Sequence, residues 1–178
     1  MFKRIITYAL LFLFLGCEAC EDPLSPSVSK LSIKLSTSTS TVEVDDEVRV
    51  VLSIENAVDL FALSSNIVYD SDILSVDSVV VNDIDGIFGA DIFSYNNIEK
   101  SGTLSISAGL TQTDGVDAVT GSGSICTLHF TATIPGVSAI EFATDENDNS
   151  DIEMINENGE NTTGFGNMDI TITSITVN

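Results

Sequence analysis

Hydrophobic residues recur at every second position in many short segments of the chain. The clearest segment is residues 48–55, in which the alternating apolar residues are Val48, Val50, Leu52 and Ile54. A period of two places these side chains on one face of a β-strand, so a strand with one buried face is predicted. After the polar pair Glu55-Asn56, residues 63–69 predict the next strand, with Ser65 as a polar residue on its inward side.

The same alternation predicts nine strands, and no segment shows the 3.6-residue period of an amphipathic helix. The predicted strands cover residues 31–36, 48–55, 63–69, 73–81, 92–95, 103–108, 124–130, 137–143 and 169–177. In the last of them the period slips by one, which predicts a bulge at Thr173-Ser174. Polar segments 111–123 and 145–166 are predicted to be loops. An all-β sandwich of two packed sheets follows.

The seventh predicted strand limits the possible chemistry. Its inward side carries Cys126, Leu128 and Phe130, so Cys126 is expected to be a buried, inert thiol. His129, the single histidine, is predicted to face outward, and no glycine elbow surrounds a serine near it. A catalytic triad is therefore not indicated, and we expect no enzymatic activity.

The first residues have the pattern of an export signal. Lys3-Arg4 precedes an apolar stretch, residues 5–15, which ends at Gly16 and is too short to span a bilayer. Residues 13–17 resemble a bacterial lipoprotein box, which implies lipidation of Cys17 and display on the outer membrane or cell surface. Because Phe14 departs from the usual Leu, a plain secretory signal remains the alternative. The expected division is a signal in 1–16, a tether in 17–30 and one domain in 31–178.

The charge of the chain excludes one class of partner. There are 27 acidic residues against 6 basic ones, which gives a net charge of −21. Nucleic acid binding needs clustered Lys and Arg, so no nucleic acid partner is expected. Such acidity fits a solvated surface, or a surface that attracts basic partners or cations.

Three stretches together resemble the cohesin family. Residues 42–47 are similar to the turn before the second cohesin strand, with Asp45 where that family usually has Gly. Residues 48–76 are similar to the opening strands of the module, and residues 121–130 to its glycine-rich turn and following strand. The resemblance implies a nine-stranded jelly-roll and a non-catalytic, monomeric module. It also implies a partner of the dockerin type, typically a calcium-loaded helical module on a carbohydrate-active enzyme.

The resemblance also implies a binding face. Cohesins bind dockerin through the sheet that corresponds to the eighth, third, sixth and fifth predicted strands. The outward positions there are Ala62, Ser64, Asn66, Ser105, Ser107 and Glu141. Many cohesins have Asn and Asp where this chain has Ala62 and Ser64, so another dockerin class, another ligand, or a plain solvated face stays open.

Direct binding of polysaccharide is the alternative function, because carbohydrate-binding modules have a similar sandwich. The chain contains no Trp, which counts against a flat aromatic binding strip. Four other aromatic residues are candidates, and they are expected to be core or loop anchors instead: Phe88, Phe93, Tyr95 and Phe165.

The acidic loop offers one candidate metal site. Its oxygen-bearing residues at alternate positions are Asp145, Asn147, Asn149 and Asp151. This spacing resembles a calcium loop, but Ser150 replaces the usual Gly and Asn156 replaces the bidentate Glu. We therefore expect calcium binding that is weak at most, and no other cofactor.

Overall fold

The computed structural model describes residues 29–81, 86–89, 92–99, 102–111, 115–147, 149–162 and 168–178. Within these ranges the chain forms twelve β-strands. They are β1 (Ser32–Thr37), β2 (Thr41–Val42), β3 (Glu47–Leu60), β4 (Ala62–Val68), β5 (Leu74–Val81), β6 (Ile92–Glu99), β7 (Thr103–Leu110), β8 (Val119–Ala132), β9 (Gly136–Phe142), β10 (Ile152–Ile155), β11 (Asp169–Thr171) and β12 (Thr173–Val177). The described ranges include no helix with the length and hydropathy needed to cross a membrane.

The strands form two sheets that pack as a sandwich. The five-stranded sheet has the order β11-β1-β3-β8-β5, and the seven-stranded sheet has the order β2-β12-β9-β4-β7-β6, with β10 paired to β4. Most neighbours are antiparallel, while β1 with β11 and β12 with β2 are parallel. The predicted all-β sandwich is confirmed, although the strand count is higher than nine.

The core lies between the sheets and is built by the predicted alternation. Val50, Leu52, Cys126, Leu128 and Phe130 are all fully buried. The Phe130 ring packs edge to face against the ring of Tyr69, which directly follows β4 of the opposite sheet, with 5.3 Å between the ring centroids. Burial raises the pKa of the Cys126 thiol to about 12, which agrees with the expected inert cysteine.

The end of the chain corrects the sequence prediction. Residues 169–177 do not form one bulged strand, because β11 pairs with β1 while β12 pairs with β9 in the other sheet. The period slips because the chain changes sheet at Ile172, and this leaves Ile172 half exposed and Ile170 39% exposed. The short strands β2 and β10 were also missed, and β10 lies inside the segment that was predicted to be a loop.

The segment around Glu55-Asn56 is also different from the prediction. The strand does not end there: β3 continues to Leu60, with irregular pairing to β8. Asn56 and Asp59 adopt left-handed φ angles of 57° and 55°. Their backbone N–H groups donate to Ser122 Oγ at 2.9 Å and Thr120 Oγ1 at 3.1 Å. Strand β8 follows β3 across these irregularities, with Val119 opposite Leu60, so β8 begins inside the predicted loop 111–123.

Candidate functional site

The outer face of β9, β4, β7 and β6 brings the six predicted residues onto one surface. Across β4 and β7 the opposite pairs are Ala62 with Gly109, Ser64 with Ser107 and Asn66 with Ser105. Glu141 is exposed on β9, opposite Val68. The strand arrangement that the resemblance implied is therefore present, and the binding role of these residues stays a prediction.

Strand β10 adds residues that the sequence prediction left out. It pairs with the first half of β4, so that Ile155 lies opposite Ala62 and Glu153 opposite Ser64. The backbone carbonyl of Asp151, just before β10, accepts a hydrogen bond from the backbone N–H of Asn66 at 3.2 Å. The available signal was the alternation of Ile152 and Met154, both fully buried, within an otherwise acidic segment.

Strand β6 contributes two exposed aromatic residues to the same face. Phe93 lies opposite Gly109 and Tyr95 opposite Ser107. They are 61% and 59% exposed, so the expectation that they anchor the core or a loop was wrong. Phe88 is buried, as expected of a core residue, whereas Phe165 lies outside the described residues. The spacing of Phe93 and Tyr95 by two residues could have revealed their shared outward direction.

Hydrogen bonds orient the polar part of this face. The Asn66 side chain donates from Nδ2 to Asp151 Oδ2 at 2.5 Å and accepts at Oδ1 from Ser105 Oγ, also at 2.5 Å. Nearby, the hydroxyls of Ser64 and Ser107 are 3.1 Å apart. Because these bonds hold the amide in one orientation, binding a ligand there costs less side-chain entropy.

An apolar groove of about 360 Å³ lies beside this polar row. Ala62 and Gly109 form its floor, while Phe93 and Ile155 line its opposite sides. A Cβ atom at Gly109 would lie only 2.6 Å from the Cβ of Ala62. The depth of the groove therefore depends on two small residues in direct cross-strand contact.

A model of the cohesin domain matches residues 33–164. The chain belongs to the cohesin family. A type II cohesin domain from the cellulosome of Acetivibrio cellulolyticus has a TM-score of 0.69 to it at 16% identity, covering 82% of this chain and 95% of that one. A chain from the structure of a type II cohesin–X-dockerin complex, an interface mutant from the same organism, is also similar. Its TM-score is 0.68 at 15% identity, and the match covers 84% of this chain and 100% of that one.

A non-cellulosomal cohesin from the archaeon Archaeoglobus fulgidus is also similar. Its TM-score is 0.63 at 14% identity, covering 84% of this chain and 92% of that one. No curated protein sequence gives a significant match. Identities this low carry information on the fold only, and the residues of the face must be interpreted from their own chemistry.

Charge distinguishes this face of the cohesin module from the opposite one. The strands of the seven-stranded sheet contain no Lys or Arg within the described ranges, and the face presents Glu141, Asp151 and Glu153. On the five-stranded sheet, Arg49 Nε and His129 Nδ1 each lie 2.8 Å from Glu47 Oε1. Hydrogen bonds from Arg49 and then His129 lower the pKa of Glu47 to about 2. His129 faces outward, as predicted.

Two of the four predicted calcium ligands of the cohesin, Asp145 and Asp151, already accept hydrogen bonds from protein groups. Asp145 Oδ1 accepts the backbone N–H groups of Asn147 at 2.7 Å and Asn149 at 2.9 Å. These bonds, led by the one from Asn149, lower the pKa of Asp145. Asp151 accepts from Asn66 instead. In the part of the chain that the structure describes, no three His, Cys, Asp or Glu residues are grouped to hold a metal. Weak calcium binding stays a prediction.

Proposed function

We propose that this cohesin is a non-catalytic module that binds a dockerin-type protein through the outer face of β9, β4, β7 and β6. In this role it would help to assemble polysaccharide-degrading proteins. The observation that carries the proposal is the oriented polar row of Asn66, Ser105 and Asp151 beside an open apolar groove. Membership of the cohesin family and the similarity to a cohesin solved with X-dockerin support it.

The test is calorimetric titration of the chain with a panel of purified, calcium-loaded dockerin modules. Ser64 is exposed near the centre of the face, and Ser64→Arg introduces a bulky charge there. We expect a loss of about 2 kcal/mol in binding, or about thirtyfold in Kd. The matched control is Thr127→Arg, outward on β8 of the other sheet, with an expected change of less than about twofold. Equal effects of the two variants would contradict the proposed face.

A second candidate is direct binding of polysaccharide, and one observation favours it. Phe93 and Tyr95 stand side by side, exposed, on β6, where their rings could stack on sugar residues. Sedimentation with insoluble glycans tests this function. If the wild-type chain is retained and Tyr95→Ala is not, the carbohydrate function is supported; if neither is retained, it is rejected.

We also propose that the module is exported and attached to the membrane through lipid on Cys17, with residues 17–30 as a tether. Residues 1–28 lie outside the described ranges, so the support for the anchor is the series of Lys3-Arg4, the apolar stretch and Gly16-Cys17 alone. The mass of the protein from the membrane fraction should match an acylated chain that begins at Cys17. Cys17→Ala should release it, and a soluble, unmodified wild-type product would reject the anchor.

A further inference from the structure

We infer that two copies of this chain associate edge to edge, with β6 of one copy pairing antiparallel to β6 of the other. The inference goes beyond the proposed function, because it concerns the free edge of the seven-stranded sheet and makes a second copy the partner. It also departs from the monomer that the family resemblance implies. Two observations carry it: the edge of β6 is long and unprotected, and both faces of β6 are exposed.

The two sheets end in four edge strands within the described residues, and three of these have features that discourage pairing with another chain. Strands β2 and β11 contain only two and three residues. Strand β5 has eight residues, but its pairing with β8 shifts between Val76 and Ser78, and the exposed Asp77 lies at that irregularity. Short strands, bulges and charges are the usual means by which proteins protect sheet edges.

Strand β6 lacks these features over most of its length. It has eight residues, contains no Lys, Arg or Pro, and carries its single charge at Glu99, the last position. Its pairing with β7 runs from Ile92 to Glu99 without a register shift, so the opposite edge of β6 is long and regular. Such an edge is a template for another strand, because its outward N–H and C=O groups can form a further ladder.

The inner side of β6 is as open as its outer side. Asn96 and Ile98 lie opposite buried residues of β7 and therefore face the core side of the sheet, yet both are exposed. Every residue from Phe93 to Glu99 is in fact exposed. Because it gains little from hydrophobic burial, β6 is held mainly by its ladder to β7, and a second strand would give it a second ladder.

Charge restricts where two copies of this chain can meet. A net charge of −21 makes copies repel each other at surfaces that carry acidic groups. Residues 92–98 carry no charge, so two copies can approach along this edge without placing acid against acid. An antiparallel pair of identical strands is related by a two-fold axis, and this symmetry closes the assembly at a dimer.

The side chains of β6 indicate where the two-fold axis lies. Opposite residues must point to the same face of the joined sheet, so the axis passes through one residue of β6. An axis at Ser94 places Phe93 opposite Tyr95 twice on the outer side, and cross-strand aromatic pairs are favourable. An axis one or two residues further along would place Phe93 opposite Asn97 or Glu99 instead. We therefore expect the axis at Ser94.

Sedimentation equilibrium of the purified chain tests the inference, with Cys17→Ala in every sample so that lipid cannot drive association. The paired strands are at most about 27 Å long, so the dimer should be weak, populated at about 1 mM and dissociated at about 1 μM. Ser94→Lys puts like charges opposite each other at the axis and should weaken dimerisation at least about fivefold. The matched control is Ser75→Lys, exposed on β5, which changes the net charge equally and should dimerise like wild type.

A mixture of variants tests the position of the axis. Ser94→Asp should weaken dimerisation as Ser94→Lys does, because it also repels its own copy. An equal mixture of the two should dimerise at least about fivefold more tightly than either alone, since opposite charges then meet at the axis. The inference is overturned if wild type stays monomeric at millimolar concentration, if its assemblies grow beyond a dimer, if Ser94→Lys behaves like Ser75→Lys, or if the mixture restores nothing.

Discussion

The outer faces of the two sheets share the same backbone geometry and differ in almost every chemical respect. On the five-stranded sheet, Glu47 contacts both Arg49 and His129 at 2.8 Å, and Lys34 pairs with Glu55 at 2.6 Å. On the seven-stranded sheet the outward groups are amides, hydroxyls, carboxylates and two aromatic rings around a groove. Among the described residues, Lys34 and Arg49 of the first face each pair with a carboxylate, whereas Glu141 and Glu153 lie on a sheet whose described strands contain no Lys or Arg.

The largest difference in stability between the two faces is expected at their central residues. Asn66→Ala removes two hydrogen bonds, one of them to the Asp151 carboxylate, and should lower the free energy of unfolding by about 2 kcal/mol. Arg49→Ala removes only an exposed ion pair, so its effect should be smaller and should vanish in high salt. Urea denaturation at low and high salt measures both. A larger loss for Arg49→Ala would reverse the comparison.

The features of the two sheets that can be predicted from the sequence are those set by the alternation of apolar and polar residues. Val50, Leu52, Leu128 and Phe130 alternate over several residues, and burial of one face leaves a single register possible. The predicted sheet order was implied by the family resemblance, and the structure places Ser64 and Asn66 in that sheet accordingly. These features depend on local alternation or on a shared fold, and both are readable from the sequence.

The parts that were missed depend on contacts distant in the chain. Strand β10 is only four residues long, and it exists because Ile152 and Met154 pack into the core beside β4. Likewise, Ile172 looks like a core residue by its period, but the chain changes sheet there. The groove requires Gly109 to meet Ala62 across strands, and no local pattern reports that pairing.

The inner face of the seven-stranded sheet contains two buried serine hydroxyls that differ in their hydrogen bonding. Ser138 Oγ accepts the backbone N–H of Asp70 at 3.0 Å and donates to the Ala139 carbonyl at 3.2 Å, so Ser138→Ala should cost about 1 kcal/mol. Ser65 is equally buried, but its Oγ has no hydrogen-bond partner within the described structure. Ser65→Ala should therefore leave stability unchanged or raise it by up to about 1 kcal/mol. Thermal melts of the pair decide this, and a clear loss at Ser65 would reveal an unseen partner.

Calcium is expected to have a smaller effect, and its binding would alter the border of the proposed binding face. Binding by Asp145 and Asp151 would compete with the turn around Asn149 and with the bond to Asn66. With an incomplete ligand set, millimolar calcium should raise Tm by no more than about 2 °C relative to chelator. The same titration on Asp145→Asn is the control. A large shift at micromolar calcium would show that the loop is a true calcium site.

The smallest expected effect concerns the outer face of the five-stranded sheet and its dependence on pH. The carboxyl of Glu47 has a pKa of about 2 in the folded chain against an ordinary value of 4.5. A carboxyl whose pKa is lowered by folding stabilises the protein above its unfolded pKa, and this contribution is lost as pH falls through the folded pKa. Wild type should therefore exceed Glu47→Gln in Tm above pH 4.5, and the difference should shrink toward zero near pH 2. High salt should reduce the difference in Tm at every pH, because Glu47 and Arg49 are both exposed to solvent. A difference that grows on acidification would show that Glu47 does not gain its stabilisation from Arg49 and His129.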